Sequence, residues 1–455
     1  MTTLESFKNK IRDKKVIVLG IGVSNVPLIK TLVKYKAKVI AKDKNINLDK
    51  NLVKELEEMN VKVFLGDDYL NDLNDCDYIF RSPGIKPFLP EIKEAVLNGV
   101  ILTSEIEEVI NLAPCKVIGI TGSDGKTTTT TLISEFLKEE GYVVYTGGNI
   151  GMPLFSKLDD ILAGDIIVLE LSSFQLMTIK TSPSISVITN ISENHLDYHT
   201  DYMEYILSKA NIFLKEGNEK LILNKDDEIS KKYASMYDKE ISYFSLKEKL
   251  NCGGYLLNDK LYYNDKYICD RDCIKLMGIH NVANILTAIT TVFDLVSVEN
   301  IVNVITSFTG VKHRMQLVHT NEDGVLWYND SIASSPTRTI AGLNSFNEKI
   351  ILIAGGYDKK ISYEDIGKHI VDKVKVLILM GDTAKKIEDS VKAVDVYNTV
   401  RIINVDNMNE AVNCANQISN SGDKVVMSPA SASFDKYKNF EERGNDFVEK
   451  VKELV

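Results

Sequence analysis

The chain has 455 residues, 44% hydrophobic and 26% charged, with a formal net charge of -10; that length predicts about three domains, and the composition excludes long disorder. The acidic balance argues against nucleic acid as a partner, because a polyanion needs a basic face, while small anionic ligands remain open. Six scattered cysteines contain no CxxC pair, which disfavours zinc and redox motifs, Cys269 and Cys273 included, and predicts free thiols in a reducing cytoplasm.

The N-terminal apolar run 16–23 lacks a small-residue cleavage site and enters a glycine turn, so it reads as a first strand. Short β-branched runs then alternate with amphipathic stretches at 38–43, 77–84, 116–122, 165–173, 185–190 and 220–224. After Arg314 they recur at 327–331, 350–356, 374–382 and 424–430. Alternation of this kind predicts an α/β protein of parallel sheets flanked by helices. The pattern restarts near Lys116 and after Arg314, which predicts three consecutive domains with boundaries at 1–104, 105–310 and 311–455. The first and last are expected to be Rossmann-like and the central one a P-loop-type ATPase fold with a mainly parallel sheet. Between Lys239 and Met277 a Tyr- and Asn-rich texture predicts a small antiparallel excursion. The longest stretch without Asp, Glu, Lys or Arg, 276–293, carries His280, Asn281 and Asn284, so no membrane span is expected.

Chemistry-bearing motifs fall at the predicted strand ends. GIGVSN (20–25) follows the first strand but lacks the third glycine of a dinucleotide fingerprint. Asp43 ends the second strand, where an acidic residue often meets a ribose, so some nucleotide moiety is expected there. The strongest signal is GITGSDGKTTTT from Gly119: glycines let the backbone wrap phosphate oxygens, Lys126 supplies a counter-charge, and Thr127 suits magnesium. Five residues rather than four separate Gly119 from Gly125, so the loop is a TGxxGKT variant of the common P-loop. Downstream, Glu170 closes a strand as a magnesium-ligand candidate, Ser172 and Gln175 follow, then come His195 and Asp197, and Lys209 sits on a predicted helix. Strand ends of one parallel sheet converge on one face, which favours a single site.

In order along the chain, TGSDGKTT (121–128), GGNIG (147–151), LELSSFQL (169–176), NHLDYH (194–199), SKANIF (208–213), GIHNVAN (278–284) and HRM (313–315) resemble the Mur ligase family of ATP-dependent amide-forming enzymes. SPGI (82–85) and SPASASFDKYKNFEERG (428–444) resemble its D-glutamate-adding branch. The resemblance covers essentially the whole chain. It implies a cytoplasmic ligase, monomeric, that takes UDP-N-acetylmuramoyl-L-alanine and D-glutamate with ATP and two Mg2+ ions. The N-terminal domain would hold the UDP-sugar, the central one ATP and the C-terminal one the amino acid.

Carried over position by position, the resemblance makes Lys126, His195, Lys209 and Arg314 catalytic. ATP would contact Gly122, Ser123, Asp124, Gly125, Lys126, Thr127, Thr128, Asn281, Asn284, Arg314 and Asp330. Thr127, Glu170, His195 and a carbamylated Lys209 would hold the metals. Asp43, Ser82, Gly84 and Asn149 would face the UDP-sugar and Lys359, Ser433 and Phe440 D-glutamate, with Ser24, Ser172 and Gln175 further substrate-binding residues. Ile332 departs from the lysine usual after NDS, and Asp124 and Gln316 are milder departures. The competing readings are a folylpolyglutamate synthase or another Mur-type ligase, a nicotinamide-dependent oxidoreductase, and a non-catalytic ATP-binding regulator. Asp43 and the strands before the ATP loop weigh against the synthase; the second phosphate loop weighs against the oxidoreductase; Glu170, His195 and Lys209 together weigh against the regulator.

Overall fold

A computed structural model describes residues 3–22, 24–193, 198–276, 278–359 and 361–454. It separates into two compact units, Met1–Phe308 and Thr309–Val455.

The first unit begins with five parallel strands, β1 (Lys15–Leu19), β2 (Lys38–Asp43), β3 (Lys62–Leu65), β4 (Tyr78–Arg81) and β5 (Ile101–Thr103), in the order β3-β2-β1-β4-β5. The chain runs outward from β1 in one direction and returns to add β4 on the other side. The loops after β1 and β4 therefore diverge and leave a crevice at the carboxyl ends of these strands, where open α/β sheets bind ligands.

A nine-stranded sheet follows, with β6 (Lys116–Thr121), β7 (Val144–Gly148), β8 (Ile166–Glu170), β9 (Ile185–Ile188), β10 (Lys220–Asn224), β11 (Glu240–Ser245), β12 (Gly253–Leu257), β13 (Lys260–Tyr263) and β14 (Lys266–Asp270). Its order is β14-β13-β12-β11-β10-β9-β6-β8-β7. Strands β6 to β12 are parallel, and only β12-β13-β14 form the antiparallel excursion, appended as an edge. Ile118 and Ile120 of β6, with Ile166 and Val168 of β8, face the helices Lys126–Glu139 and Ile279–Val292, while Val117, Ile167 and Leu169 face the opposite core. Burial on both faces is what a parallel sheet between helices requires, and it explains the near-continuous apolar runs in the sequence. The opposite core is shared with the first sheet. Phe155 lies 6.0 Å from Phe7, 6.2 Å from Tyr35 and 6.1 Å from Phe80, ring centre to ring centre.

The second unit is one six-stranded sheet: β15 (Gln316–Thr320), β16 (Leu326–Asn329), β17 (Ile350–Ala354), β18 (Val374–Leu379), β19 (Arg401–Asn404) and β20 (Lys424–Met427), ordered β15-β16-β20-β17-β18-β19. All pairs are parallel except the β15 edge. Because β16, β20 and β17 are neighbours, the loops carrying 329–331, 428–433 and 355–359 emerge side by side. Among the described residues no helix is long and apolar enough to cross a membrane.

Candidate active site

The phosphate-type loop is built at the end of β6. Gly122 (φ +148°) and Gly125 (φ +78°) turn the backbone into the helix Lys126–Glu139. A β-carbon at Gly122 would collide with the Thr189 hydroxyl, and one at Gly125 with the Asn284 side-chain oxygen, so side chains of β9's end and of the helix Ile279–Val292 press on the loop. Ser123 N donates to Asn190 O at 2.9 Å, Asp124 N to Asn190 Oδ1 at 3.0 Å, and Thr189 Oγ1 to Asp124 O at 2.6 Å. Asn281 Oδ1 accepts from Asn284 Nδ2 at 3.1 Å, which puts that predicted pair together. Lys126 Nζ donates to the carbonyls of Gly122 (2.9 Å) and Ser123 (2.8 Å). Thr127, on the first helical turn, is buried, and Thr128 is half-buried.

Lys209, in the helix Tyr202–Leu214, reaches the same loop: Nζ donates to Gly122 O at 2.8 Å and Thr121 Oγ1 at 3.3 Å, 4.7 Å from the Tyr205 ring centre. It is 2% exposed. Burial, then the charge of Lys126, hold its ammonium well below the usual lysine range, with Asp124 and Glu170 in partial opposition. Glu170 ends β8 in register with Ile120. Its Oε1 accepts from Asn149 Nδ2 at 2.8 Å, whereas Oε2 is buried without a hydrogen-bond partner. Asn149 is thus placed on Glu170.

His195 and Asp197 lie outside the described residues. His199, the last residue of their sequence motif, has Nε2 2.9 Å from Ser173 Oγ and Nδ1 3.2 Å from Glu204 Oε2, and burial lowers its pKa below the usual histidine value. Ser172 and Gln175 form a reciprocal capping box on the short helix Ser173–Leu176, with Gln175 Oε1 accepting from Ser172 N at 2.9 Å and Gln175 N donating to Ser172 Oγ at 3.3 Å. Their polar atoms therefore fix that helix start.

At the first sheet, Asp43 Oδ2 accepts from Ile21 N at 2.6 Å and Oδ1 from Asn45 N at 2.7 Å; the carboxylate holds the glycine turn after β1. Gly20 (φ +88°) packs on Ser82, where a β-carbon would come within 2.7 Å of Ser82 Cβ. Ser82 N donates to Leu19 O at 2.9 Å. Asp43, Ser82 and the 20–22 turn thus meet at the crevice between β1 and β4. A β-carbon on Gly84 would meet open space, and Ser24 precedes the helix Asn25–Lys34 without capping it.

In the second unit, Asp330 follows β16. Its Oδ2 accepts from Ser428 Oγ at 2.7 Å and Oδ1 from Met315 N at 3.2 Å, and burial pushes its pKa up to about 6 against the charges of Arg314 and Arg338. His313 (φ +62°) and Met315 (φ +42°) flank Arg314 in left-handed backbone. Asn329 Nδ2 bonds His313 Nδ1 (3.0 Å) and Gly444 O (3.0 Å). The Phe440 ring lies edge-on to His313 at 6.1 Å, and its carbonyl accepts from Ser331 Oγ at 2.7 Å. Ser433 is buried, with its carbonyl accepting from Lys436 N and Tyr437 N; Lys359 is exposed on the loop after β17. The carbonyl of Ile332, the departing position, accepts from Arg338 at 3.2 Å.

Family models match three successive segments: the Mur ligase MurD-like N-terminal domain at 14–104, the Mur ligase middle domain at 120–292, and the Mur ligase glutamate ligase domain at 313–431. A UDP-N-acetylmuramoylalanine--D-glutamate ligase of Clostridium botulinum (strain 657 / Type Ba4) is 49% identical over 457 residues, covering 100% of both chains. The chain belongs to the Mur ligase family. A second ligase of that name, from Ruminiclostridium cellulolyticum, is 48% identical with 99% of each chain covered. In fold this Mur ligase is similar to the UDP-N-acetylmuramate-alanine ligase of Thermotoga maritima, at a TM-score of 0.56 and 18% identity over 97% of this chain and 100% of that one. As in other Mur ligases, three α/β domains succeed one another.

Mur ligases are ATP-dependent, which implies ATP and Mg2+. Among the described residues no group of three or more His, Cys, Asp and Glu clusters as a metal site. The residues nonetheless fit the ion: a buried carboxylate oxygen lacking a partner, Glu170 Oε2, is costly unless a cation or donor meets it, and a carboxylate with a threonine hydroxyl is the hard-oxygen chemistry Mg2+ takes.

Two structural arginines of this Mur ligase escaped the sequence reading. Arg443, 1% exposed, donates to Ser331 Oγ and O and to the carbonyls of Ser431 and Ala432. It binds the NDS and SAS loops together, and burial lowers its pKa to about 10. Arg81 does similar work in the first unit. Their only sequence signal was a charged residue inside or ending a quoted motif.

Proposed function

We propose that this Mur ligase uses ATP to join D-glutamate to UDP-N-acetylmuramoyl-L-alanine in peptidoglycan precursor synthesis, within the cytoplasm and as a monomer. The observation that carries the chemistry is the convergence of Lys126 and Lys209 on one carbonyl, Gly122 O, of a glycine loop beside the strand ending in Glu170. Full-length relatives 48–49% identical bear the name of that ligase.

In the first step a carboxylate oxygen of the alanyl group attacks the γ-phosphorus of ATP, the bond to the β-phosphate oxygen breaks, and ADP leaves. The D-glutamate amine then attacks the acyl carbon, the carbon–oxygen bond to phosphate breaks, and the nitrogen loses a proton. Loop N–H groups at the helix start and Lys126 orient the triphosphate and offset its charge. Magnesium, when bound, supplies further charge neutralisation on the phosphoryl oxygens. Thr127 and Glu170 are assigned to one ion and His195 with Lys209 to a second. Burial shifts Lys209 toward its unprotonated, nucleophilic amine; that amine would add to CO2, lose a proton and become a carbamate, a carboxylate-like anion suited to a metal. Asn281, Asn284, Arg314 and Asp330 are assigned to ATP, Asp43, Ser82 and Gly84 to the sugar nucleotide, and Lys359, Ser433 and Phe440 to D-glutamate. The domain limits are set at 1–104, 105–310 and 311–455.

Phosphate release measured with each component omitted tests the reading. Release is expected only when ATP, UDP-N-acetylmuramoyl-L-alanine and D-glutamate are all present; indifference to D-glutamate, or its replacement by another amino acid, would overturn it.

A further inference from the structure

Arg81 ends β4 and is 1% exposed. From one terminal nitrogen it donates to the carbonyls of Ser82 (3.2 Å), Pro83 (3.3 Å) and Ile85 (2.5 Å). From the other it donates to Phe174 O (3.1 Å) and Thr178 Oγ1 (3.3 Å). The first three acceptors make up the turn that carries Ser82 and Gly84; the last two belong to the segment just after Glu170 and β8. A second bridge runs alongside. Tyr198 OH donates to Pro83 O at 3.0 Å, and its ring lies 4.1 Å from that of Phe174.

No hydrogen bond between the Arg81 guanidinium and a carboxylate occurs among the described residues; burial lowers its pKa, Glu107 is the carboxylate that opposes that shift, and its Nε is buried without a partner. For packing alone an apolar side chain of equal volume serves as well or better than such a group. What the guanidinium adds is direction, because a planar fork fixes both the separation and the orientation of the two segments it spans.

We propose that Arg81 is a positioning residue for the sugar-nucleotide substrate, holding the 82–85 turn at a set distance and angle from the segment 174–178 that follows the Glu170 strand. The inference rests on the function proposed above. A ligand seated in the crevice between β1 and β4 then has its reactive end aimed at the strand ends of the central sheet, while ATP, held by the 122–127 loop, is independent of Arg81.

The test compares Arg81→Met, which keeps the apolar stem, Arg81→Lys, and Thr178→Val, which removes one acceptor on the central side. In Arg81→Met, kcat/KM for UDP-N-acetylmuramoyl-L-alanine is expected to fall roughly tenfold or more, the scale of one charge-assisted hydrogen bond. The Kd of a non-hydrolysable ATP analogue, by calorimetry without the sugar nucleotide, should stay within about twofold. Arg81→Lys should recover part of the loss, and Thr178→Val should lose about threefold in the same parameter. A merely structural role weakens both ligands together. An unchanged kcat/KM for the sugar nucleotide in Arg81→Met, or a parallel loss of ATP-analogue affinity, would overturn the inference; if that variant fails to fold, an unchanged Thr178→Val does so. Wild-type protein that releases no phosphate with the sugar nucleotide would overturn the underlying function as well.

Discussion

At the scale of single residues, the site depends on groups whose charge burial has altered. Lys209 is the clearest case. Its depressed pKa means that the unfolded chain binds more protons between the folded value and 10.5, so this group's contribution to stability rises with pH across that window and its full cost is present below it. Lys209→Arg keeps a long basic side chain but cannot carry a carbamate, so turnover should fall by about 10³-fold or more while the far-ultraviolet circular dichroism is unchanged; near-normal activity would remove the carbamate. Asp330 has the opposite sign. Raised from 3.8 to about 6 by burial, it favours the fold fully below pH 4 and loses that contribution as pH rises through 6, on the order of 3 kcal/mol in all. Urea unfolding of Asp330→Asn should therefore show a flatter pH dependence than wild type between pH 4 and 6. Lys126 and Glu170 were legible because phosphate and metal chemistry prescribe residue type and a place at a strand end, whereas Lys209, on a helix, was assigned its role through the family resemblance. Arg81 and Arg443 were not, because what they hold is main chain brought close only by the fold, and no spacing along the sequence encodes that.

At the scale of elements, the loop and its helix act as one device. Gly125→Ala places a β-carbon against Asn284 in left-handed backbone, which should cost about 1–2 kcal/mol of stability and weaken ATP-analogue binding by roughly tenfold or more in calorimetry. The long buried strands β1, β2, β6, β8, β10, β17 and β18 were readable as apolar runs, since both faces are covered. Strands at sheet edges were missed: β3 and β5 flank the first sheet, β7 closes the central one, and β15 and β19 close the last. An edge strand has fewer neighbours to demand hydrophobic residues, and in β19 two half-buried isoleucines lie between exposed ends. The antiparallel excursion was correctly expected, although β11, at its start, is part of the parallel sheet. Ser172 and Gln175 illustrate a different limit: a motif that looks chemical also encodes a helix cap.

At the scale of the whole molecule, two units with separate cores predict two calorimetric unfolding transitions rather than one. Phe155 links the first sheet to the central one inside the first unit, so Phe155→Ala should lower one transition by about 3–5 kcal/mol and leave the other in place. D-glutamate, assigned to residues above 309, should raise only the second transition.

The central claim is that phosphorus moves onto the substrate carboxylate before the amide forms. Trapping with hydroxylamine in place of D-glutamate addresses it most directly, because an acyl phosphate yields a hydroxamate. With ATP, magnesium and UDP-N-acetylmuramoyl-L-alanine, hydroxamate should accumulate together with an equal amount of ADP, and neither should form with Lys126→Ala. Product formation with D-glutamate but no hydroxamate under the same conditions would contradict the account.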